Sequence, residues 1–340
     1  MKILLLTRKY TGADGHSSVI NNVAMALIGK GIDVTLGAFS FLQDPPSKIP
    51  TLKLDLFSDI FRFHKVVRDF DLIHNFQTLS GYTALITKKP YVFHYLGIGT
   101  SLQGINLKIA SRLTKRSVRK YLVSSKSSAE ELFDLISTDS QIIPLAIDPD
   151  FYKVESVTVA KKGNPQLLTV TRMMSYKRNE DLLNGFSKLL KILPDSYLQI
   201  IGTGPQFDQV KNLVEKLKIT SHVELLGKIK HSDIKSLYAS CDVYISTSGK
   251  EAFPVPVIEC MAQGKPVILS DIPIHREIVH ESKAGQSYAE GNTDDLVEKL
   301  VHVWKEREEL GKNAIIYSQR WSQTTLGDNL LKLYKDVLGR

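Results

Sequence analysis

Short apolar runs alternate with longer amphipathic segments along the whole chain, and this alternation leaves few folds open. In the first half, residues 2–7, 33–37, 72–74, 91–95, 120–124 and 141–144 each have the length and apolar content of a buried strand. Between them lie helical patterns. In residues 17–30, Val19, Val23, Ala26 and Leu27 share one face and Gly31 supplies the stop. Strands that are apolar on both faces and separated by helices predict a parallel sheet covered on both sides.

The alternation stops at residues 148–166, a polar stretch with Pro149 and Pro165 and no helical period, and then restarts. Strands are predicted at 166–171, 197–201, 222–226, 242–246 and 266–270, and helices at 180–192, 206–217, 232–239, 256–263 and 294–305. A last helix, 323–338, follows Trp321 after the second sheet should be complete. A chain of 340 residues suits about two domains. The expected architecture is α/β, with two Rossmann-like parallel-sheet domains facing across a cleft. Residues 1–150 form the first, 151–165 a linker and 166–320 the second, with 321–340 left for the last helix.

The 43% hydrophobic and 24% charged content excludes a disordered or fibrous chain. A net charge of +8 favours anionic partners: nucleotides, phosphates, nucleic acid or an acidic membrane surface. Two cysteines, Cys241 and Cys260, build neither a disulfide framework nor a cysteine metal site, which suits a reducing compartment. No apolar run reaches the length of a membrane span, and the N-terminal run is too short for a secretory leader. The expected location is cytoplasmic.

Ligands of open α/β sheets sit beyond the carboxyl ends of the strands, so the residues there are the candidates. The first strand–helix junction carries Gly12 and Gly15 without the G-x-G-x-x-G fingerprint, which leaves a phosphate-approaching loop and an ordinary loop both open. After residues 166–171 come Arg172, Lys177 and Arg178, cations suited to a diphosphate or to a solvated loop. Gly202 and Gly204, in "GTGP", either let backbone approach a ligand or make a tight turn. Glu251 lies before the predicted helix and Glu259 eight positions later, just inside its first turn, with Pro256 and Gly264 as its start and stop. Two carboxylates there accept hydrogen bonds from sugar hydroxyls, or simply complement the helix dipole. His74 and His94 end two strands, and His94, followed by Gly97 and Gly99, is the better candidate. No H-E-x-x-H and no cysteine cluster is present, so no metal site is expected.

Residues 106–121 carry Lys108, Arg112, Lys115, Arg116, Arg119 and Lys120 with no acid among them. At helical spacing Lys108, Arg112, Lys115 and Arg119 share a face, and Ala110, Leu113, Val118 and Tyr121 the other. Such a helix either lies on an anionic membrane or packs on the core with a solvated face. Aromatic residues do not interleave with the charges, so nucleic acid is not expected.

Taken in order, "LVSSKSSAEEL", "IIPLAID", "TRMMSYKRNEDLLNGF", "IIGTGP", "VELLGKI", "LYASCDVYISTS" and "EAFPVPVIECMAQGKPVILSDIPIHREIV", after the N-terminal segment through residue 36, resemble the retaining glycosyltransferases of family 4, which have the GT-B fold. The last segment holds that family's E-x7-E pattern, Glu251 to Glu259. The resemblance implies that Arg172 and Lys177 hold the donor diphosphate, Glu259 the ribose hydroxyls and Glu251 the donor sugar. It assigns backbone groups of Ala252, Phe253, Pro254 and Val255 to sugar and phosphate, and Gly15, Gly202 and Gly204 to the donor. Gly227, Lys228 and Ile229 would meet the base, His94 the transferred sugar, and the last helix, 321–340, would cross back to the first domain. Where the family often reads E-G-F-G, this chain has Ala252 and Pro254, and Pro254 has no N–H to donate. Arg178 replaces a common glycine and adds a charge near the phosphates, and Leu145-Ala146 replaces a common Asn-Gly.

The implied activity is transfer of a sugar, with retention, from a nucleotide-diphospho-sugar to an acceptor hydroxyl on a glycan or lipid-linked acceptor. It requires no cofactor beyond the donor substrate, and a basic segment at 108–120 is placed to meet an anionic membrane from its inner face. Two other readings stand beside it: a nucleotide-sugar epimerase of similar fold, and a non-catalytic nucleotide-sugar-binding subunit.

Overall fold

Ile3, Leu4, Leu5 and Leu6 are all without solvent exposure, as a strand covered on both faces requires. The computed structural model describes residues 1–12, 15–55, 58–97, 101–153 and 160–340, with backbone alone at 58–61 and 231–232. Gly99 of the sequence analysis lies outside these described residues. The chain falls into two compact units, Met1–Asp148 with Trp321–Arg340, and Pro149–Arg320.

The first unit holds strands β1 (Lys2–Tyr10), β2 (Asp33–Phe41), β3 (Thr51–Lys53), β4 (Leu72–Asn75), β5 (Tyr91–His94), β6 (Val118–Val123) and β7 (Gln141–Ile142). They form one parallel sheet in the order β3-β2-β1-β4-β5-β6-β7. Its helices are α1 (Gly15–Ile28), α2 (Ser58–Val66), α3 (Thr78–Gly81), α4 (Ser101–Thr114) and α5 (Lys126–Ile136). The second unit holds β8 (Gln166–Val170), β9 (Tyr197–Ile201), β10 (Val223–Gly227), β11 (Val243–Ser246), β12 (Val267–Ser270) and β13 (Gly285–Tyr288). These are also parallel, in the order β10-β9-β8-β11-β12-β13. Its helices are α6 (Asn179–Leu189), α7 (Phe207–Lys216), α8 (His231–Ser240), α9 (Val255–Ala262), α10 (Pro273–Ser282), α11 (Thr293–Lys305) and α12 (Arg307–Ser318).

The final helix, α13 (Gln323–Leu338), belongs to the first unit. A Cβ on its Gly327 would lie 2.7 Å from the Ala26 carbonyl oxygen, so α13 reaches α1 this closely because that position has no side chain. Gln323 donates to Asn22 at 3.1 Å and Lys30 pairs with Asp328 at 2.6 Å. Ser322 caps the helix by accepting from the Thr325 N–H at 3.1 Å.

Both sheets reverse their strand order once, between β1 and β4 in the first and between β8 and β11 in the second. The carboxyl ends of those pairs are the switch points at which open sheets bind ligands.

Three expectations from the sequence change. The edge strands β3 and β13, with sequences TLK and GQSY, were not predicted, because strands at sheet edges need not be apolar on both faces. The expected linker is built into the second unit: Phe151 is buried, Gln263 donates to its carbonyl, and the Tyr152 hydroxyl donates to Ser318 O at 2.8 Å. Residues 154–159 of that stretch lie outside the described residues. The basic segment 108–120 is not one helix. α4 ends at Thr114, and Arg119 and Lys120 belong to β6, whose Tyr121, Leu122 and Val123 fill the sheet beside β5. Leu113, placed on one face with Ala110, is 56% exposed, whereas Ala110 is buried.

Candidate functional site

At the second switch point, the chain leaves β8 through Arg172 and enters a turn at Ser175–Lys177. The loop after β11 fastens to this turn: Thr247 Oγ1 donates to Lys177 O at 2.9 Å and Gly249 N to Tyr176 O at 2.7 Å. This brings Lys177 and Glu251, 74 residues apart, into an ion pair whose side chains are 15% and 17% exposed. Arg172 is exposed and forms no ion pair among the described residues. The site therefore carries one cation held by the neighbouring carboxylate and one available to an anion.

Arg178 does not add a charge to this pair. Its backbone is left-handed, at φ +51°, which is the conformation glycine adopts without cost and accounts for the glycine common in the family at this position. Its guanidinium is turned onto Asp181 (2.6 Å) and Glu290 (3.0 Å), which neutralise it.

Glu259 is the fifth residue of α9, at the start of the second turn rather than in the first. It is 3% exposed and accepts a hydrogen bond from the Tyr238 hydroxyl at 3.1 Å. Burial, and then the charge of Glu259, hold Tyr238 well above its ordinary range and therefore protonated.

The start of α9 also departs from expectation. Pro254, at φ −85° and ψ 74°, makes an inverse γ-turn in which the Val255 N–H donates to Phe253 O at 3.0 Å. The Val257 N–H donates to Pro254 O at 3.0 Å, and neither Pro254 nor Pro256 has an N–H. No backbone donor from 254–257 is left for a phosphate. The helix dipole remains, but these four positions supply no direct backbone hydrogen bond to an anion.

Gly202 and Gly204 have a packing reason. A Cβ at either would lie 1.8 Å from Thr171 O or 2.5 Å from Met173 O, so they bring the loop after β9 against the loop carrying Arg172. Gly227 ends the edge strand β10, followed by exposed Lys228 and half-buried Ile229. Two strand spacings, about 10 Å, separate β10 from β8.

The sequence reading passed over His275, in the first turn of α10. It is fully buried, with Nδ1 3.0 Å from Ser270 Oγ, which itself donates to Ser248 O at 2.5 Å. Burial first, opposed by its hydrogen bond to Ser270 and reinforced by the charge of Lys177, brings His275 down to about 3. Its closeness to Lys177 comes from sheet order, which no local pattern records.

The first switch point opens into a cavity of about 800 Å³. Arg8 and Lys9 of β1, Phe76 and Gln77 after β4, His94, His16 and Asn106 are among its lining residues, and no described lining residue is an acid. Gln77 Oε1 accepts from the Arg8 and Lys9 N–H groups at 3.0 and 3.3 Å, joining the ends of β1 and β4. Gly15 opens α1 and is exposed but does not line the cavity, whereas His16 beside it does. His94 is fully buried, and burial, with the nearby His16, pushes it down to about 3, so it is neutral near pH 7. The structure thus groups Lys177, Glu251, Arg172 and Glu259 in the second unit and leaves Gly15 and His94 in the first.

Residues 152–321 match the family described as glycosyl transferases group 1. The alpha-monoglucosyldiacylglycerol synthase of Acholeplasma laidlawii is 26% identical over 176 residues, which are 51% of this chain and 44% of that relative. The N-acetyl-alpha-D-glucosaminyl L-malate synthase of Bacillus anthracis is 24% identical over 330 residues, 90% of this chain and 84% of the relative. Among solved structures, Anabaena HepE in complex with UDP superposes with a TM-score of 0.84 at 19% identity, covering 99% of this chain and 100% of that one.

Proposed function

The chain belongs to the glycosyl transferases group 1 family and is a glycosyltransferase of GT-B architecture; from that premise we propose that it transfers a sugar, with retention, from a nucleotide-diphospho-sugar held at the second switch point. The observation that carries this reading is the Lys177–Glu251 pair at the switch point between β8 and β11, with exposed Arg172 on the same loop after β8. In the proposed step the bond from the anomeric carbon to the phosphate oxygen breaks. The bond to the acceptor oxygen forms on the same face, and the acceptor's proton passes to the leaving phosphate oxygen. Arg172 and Lys177 stabilise the charge that grows on the diphosphate, so the reading needs no metal. Glu251 accepts from donor sugar hydroxyls and Glu259 from the ribose. Gly202, Gly204 and the 227–229 segment lie along the nucleotide. UDP is the first choice of carrier, since HepE binds it.

The test uses a thermal-shift screen with UDP, GDP and ADP followed by calorimetry. One nucleoside diphosphate at 100 times its Kd should add about 2.7 kcal/mol of stability. Glu251→Gln frees Lys177 and should bind that diphosphate at least as tightly as wild type, while sugar transfer falls about 10-fold or more. If none of the three diphosphates stabilises the protein, the donor site is misassigned.

The acceptor is proposed to be presented at an anionic membrane surface. Leu102, Ile105, Ile109 and Leu113 form an exposed stripe along α4, with exposures of 67, 55, 46 and 56%. Exposed Lys108, Arg112, Lys115 and Arg116 flank it, while Gly104, Leu107 and Ala110 face the unit. An apolar stripe bordered by cations has the chemistry of an interfacial helix on anionic lipid. No helix among the described residues is long and apolar enough to cross a membrane.

Wild type is expected to co-sediment with vesicles containing phosphatidylglycerol at low salt and much less with phosphatidylcholine alone. Reversing the four cations to Glu should remove up to about 4 kcal/mol of lipid attraction. Serine at Leu102, Ile105 and Ile109 should also release the protein. A wild type that stays in the supernatant with anionic vesicles rules this surface out.

A further inference from the structure

His74 and His94, on adjacent strands β4 and β5, are both fully buried. His74 Nε2 lies 3.2 Å from His94 Nδ1, and their ring planes are within 18° of each other with centroids 5.3 Å apart. The other nitrogen of His74, Nδ1, lies 2.5 Å from the hydroxyl of Tyr334. Tyr334 comes from α13, at the far end of the chain, and is itself without exposure. His94 Nε2 has no partner among the described residues, and His94 lines the cavity at the first switch point.

The direction of these hydrogen bonds follows from counting donors and acceptors. Among the described residues, the Tyr334 hydroxyl has one partner, His74. Burial holds Tyr334 well above its ordinary range, so it keeps its proton. A buried phenol with a single partner must donate to it, because the reverse polarity leaves the hydroxyl proton without an acceptor. His74 Nδ1 is then the acceptor, and the proton of the neutral ring sits on Nε2. That N–H donates to His94 Nδ1. The proton of the neutral His94 is therefore on Nε2, the nitrogen without a partner among the described residues.

We propose that Tyr334 and His74 are positioning residues that lock His94 as its Nε2–H tautomer, making His94 a fixed hydrogen-bond donor to a ligand hydroxyl or other oxygen in the first unit's cavity. The locking stands by itself; that the oxygen belongs to a sugar rests on the sugar-transfer reading. The C-terminal helix acquires a task beyond covering α1. A donor held by two buried partners meets a ligand oxygen without reorganising, and the opposite tautomer would set a lone pair against it.

The experiment is long-range nitrogen–proton NMR of the nitrogen-15-labelled full chain at pH 7, with the two rings assigned by loss of signal in His74→Gln and His94→Gln. Wild type should show both rings as pure Nε2–H tautomers. A pure Nδ1–H tautomer, an equal mixture or a doubly protonated ring at His94 overturns the proposal. Tyr334→Phe keeps the ring and removes the hydroxyl. It should turn His74 and His94 into tautomer mixtures and lower kcat about 5- to 10-fold, with nucleoside diphosphate affinity unchanged. A Tyr334→Phe protein with unaltered tautomers also overturns it. If Tyr334→Phe fails to fold, the wild-type spectrum still decides. If the tautomers are as stated but no sugar transfer is found, the locking stands and the transferase reading of this site fails.

Discussion

Replacing Lys177 by alanine is expected to lower kcat/KM for sugar transfer by about 10²- to 10³-fold, the range for removing one donor that stabilises developing charge. The size follows from the start of α9. Its Val255 and Val257 N–H groups are spent within the turn and two of its first residues are prolines. On the proposed reading, the charge growing on the leaving diphosphate then falls chiefly to Lys177 and Arg172. Removing Lys177 also strands Glu251, whose side chain is 17% exposed and has Lys177 as its ion-pair partner. The two consequences separate in the double variant Lys177→Ala/Glu251→Gln. Its thermal stability should recover toward wild type, while its transfer rate stays low. Steady-state kinetics and melting curves on the three variants decide the matter; a Lys177→Ala protein with wild-type kinetics removes Lys177 from the donor site.

Acidification is expected to destabilise the fold well before carboxylates titrate. His94 and His275 are fully buried, and burial chiefly brings each to about 3, against about 6.5 in an unfolded chain. Above pH 6.5 both states are neutral and the full stability is present. Below it, the unfolded chain takes up protons that the folded one refuses, so stability is lost until the pH reaches the folded values near 3. Between pH 7 and pH 5 each histidine accounts for about 2 kcal/mol, or about 4 kcal/mol together. His74, also kept neutral by burial, acts in the same direction. Native stabilities are about 5–15 kcal/mol in total, so this loss is large. Urea melts at pH 7, 6 and 5 measure it. A midpoint that does not move between pH 7 and pH 5 contradicts the neutral, buried imidazoles.

Much of the second unit's candidate site is legible in the sequence. Lys177 and Glu251 follow strands whose apolar runs are continuous, and the E-x7-E spacing singled out Glu251 and Glu259. Arg178 shows where that reading stops. The family's glycine marks a left-handed backbone position, and a charge placed there looks like a phosphate ligand until Asp181 and Glu290 are seen beside it. Pro254 was recognised as a lost donor, but the γ-turn that also spends the Val255 N–H depends on ψ, which composition does not reveal. The segment 108–120 was read with a single period. Its charges are real, yet a helix of that length would have taken β6 out of the sheet beside β5.

The sequence by itself determined the two parallel-sheet units, all of their strands but β3 and β13, a last helix after the second sheet and the residues at the strand ends. Those features follow from local periodicity and from the need to bury continuous apolar runs, both of which are written along the chain. Tertiary structure alone decided which strand ends are neighbours, and hence that Lys177 meets Glu251 across 74 residues and Tyr334 meets His74 across 260. It also decided that the cations after β8 divide into one paired with Glu251, one spent on Asp181 and Glu290, and one exposed. Pairing, burial and tautomer depend on which groups are brought within about 3 Å of one another, and packing sets that distance, not the spacing along the chain.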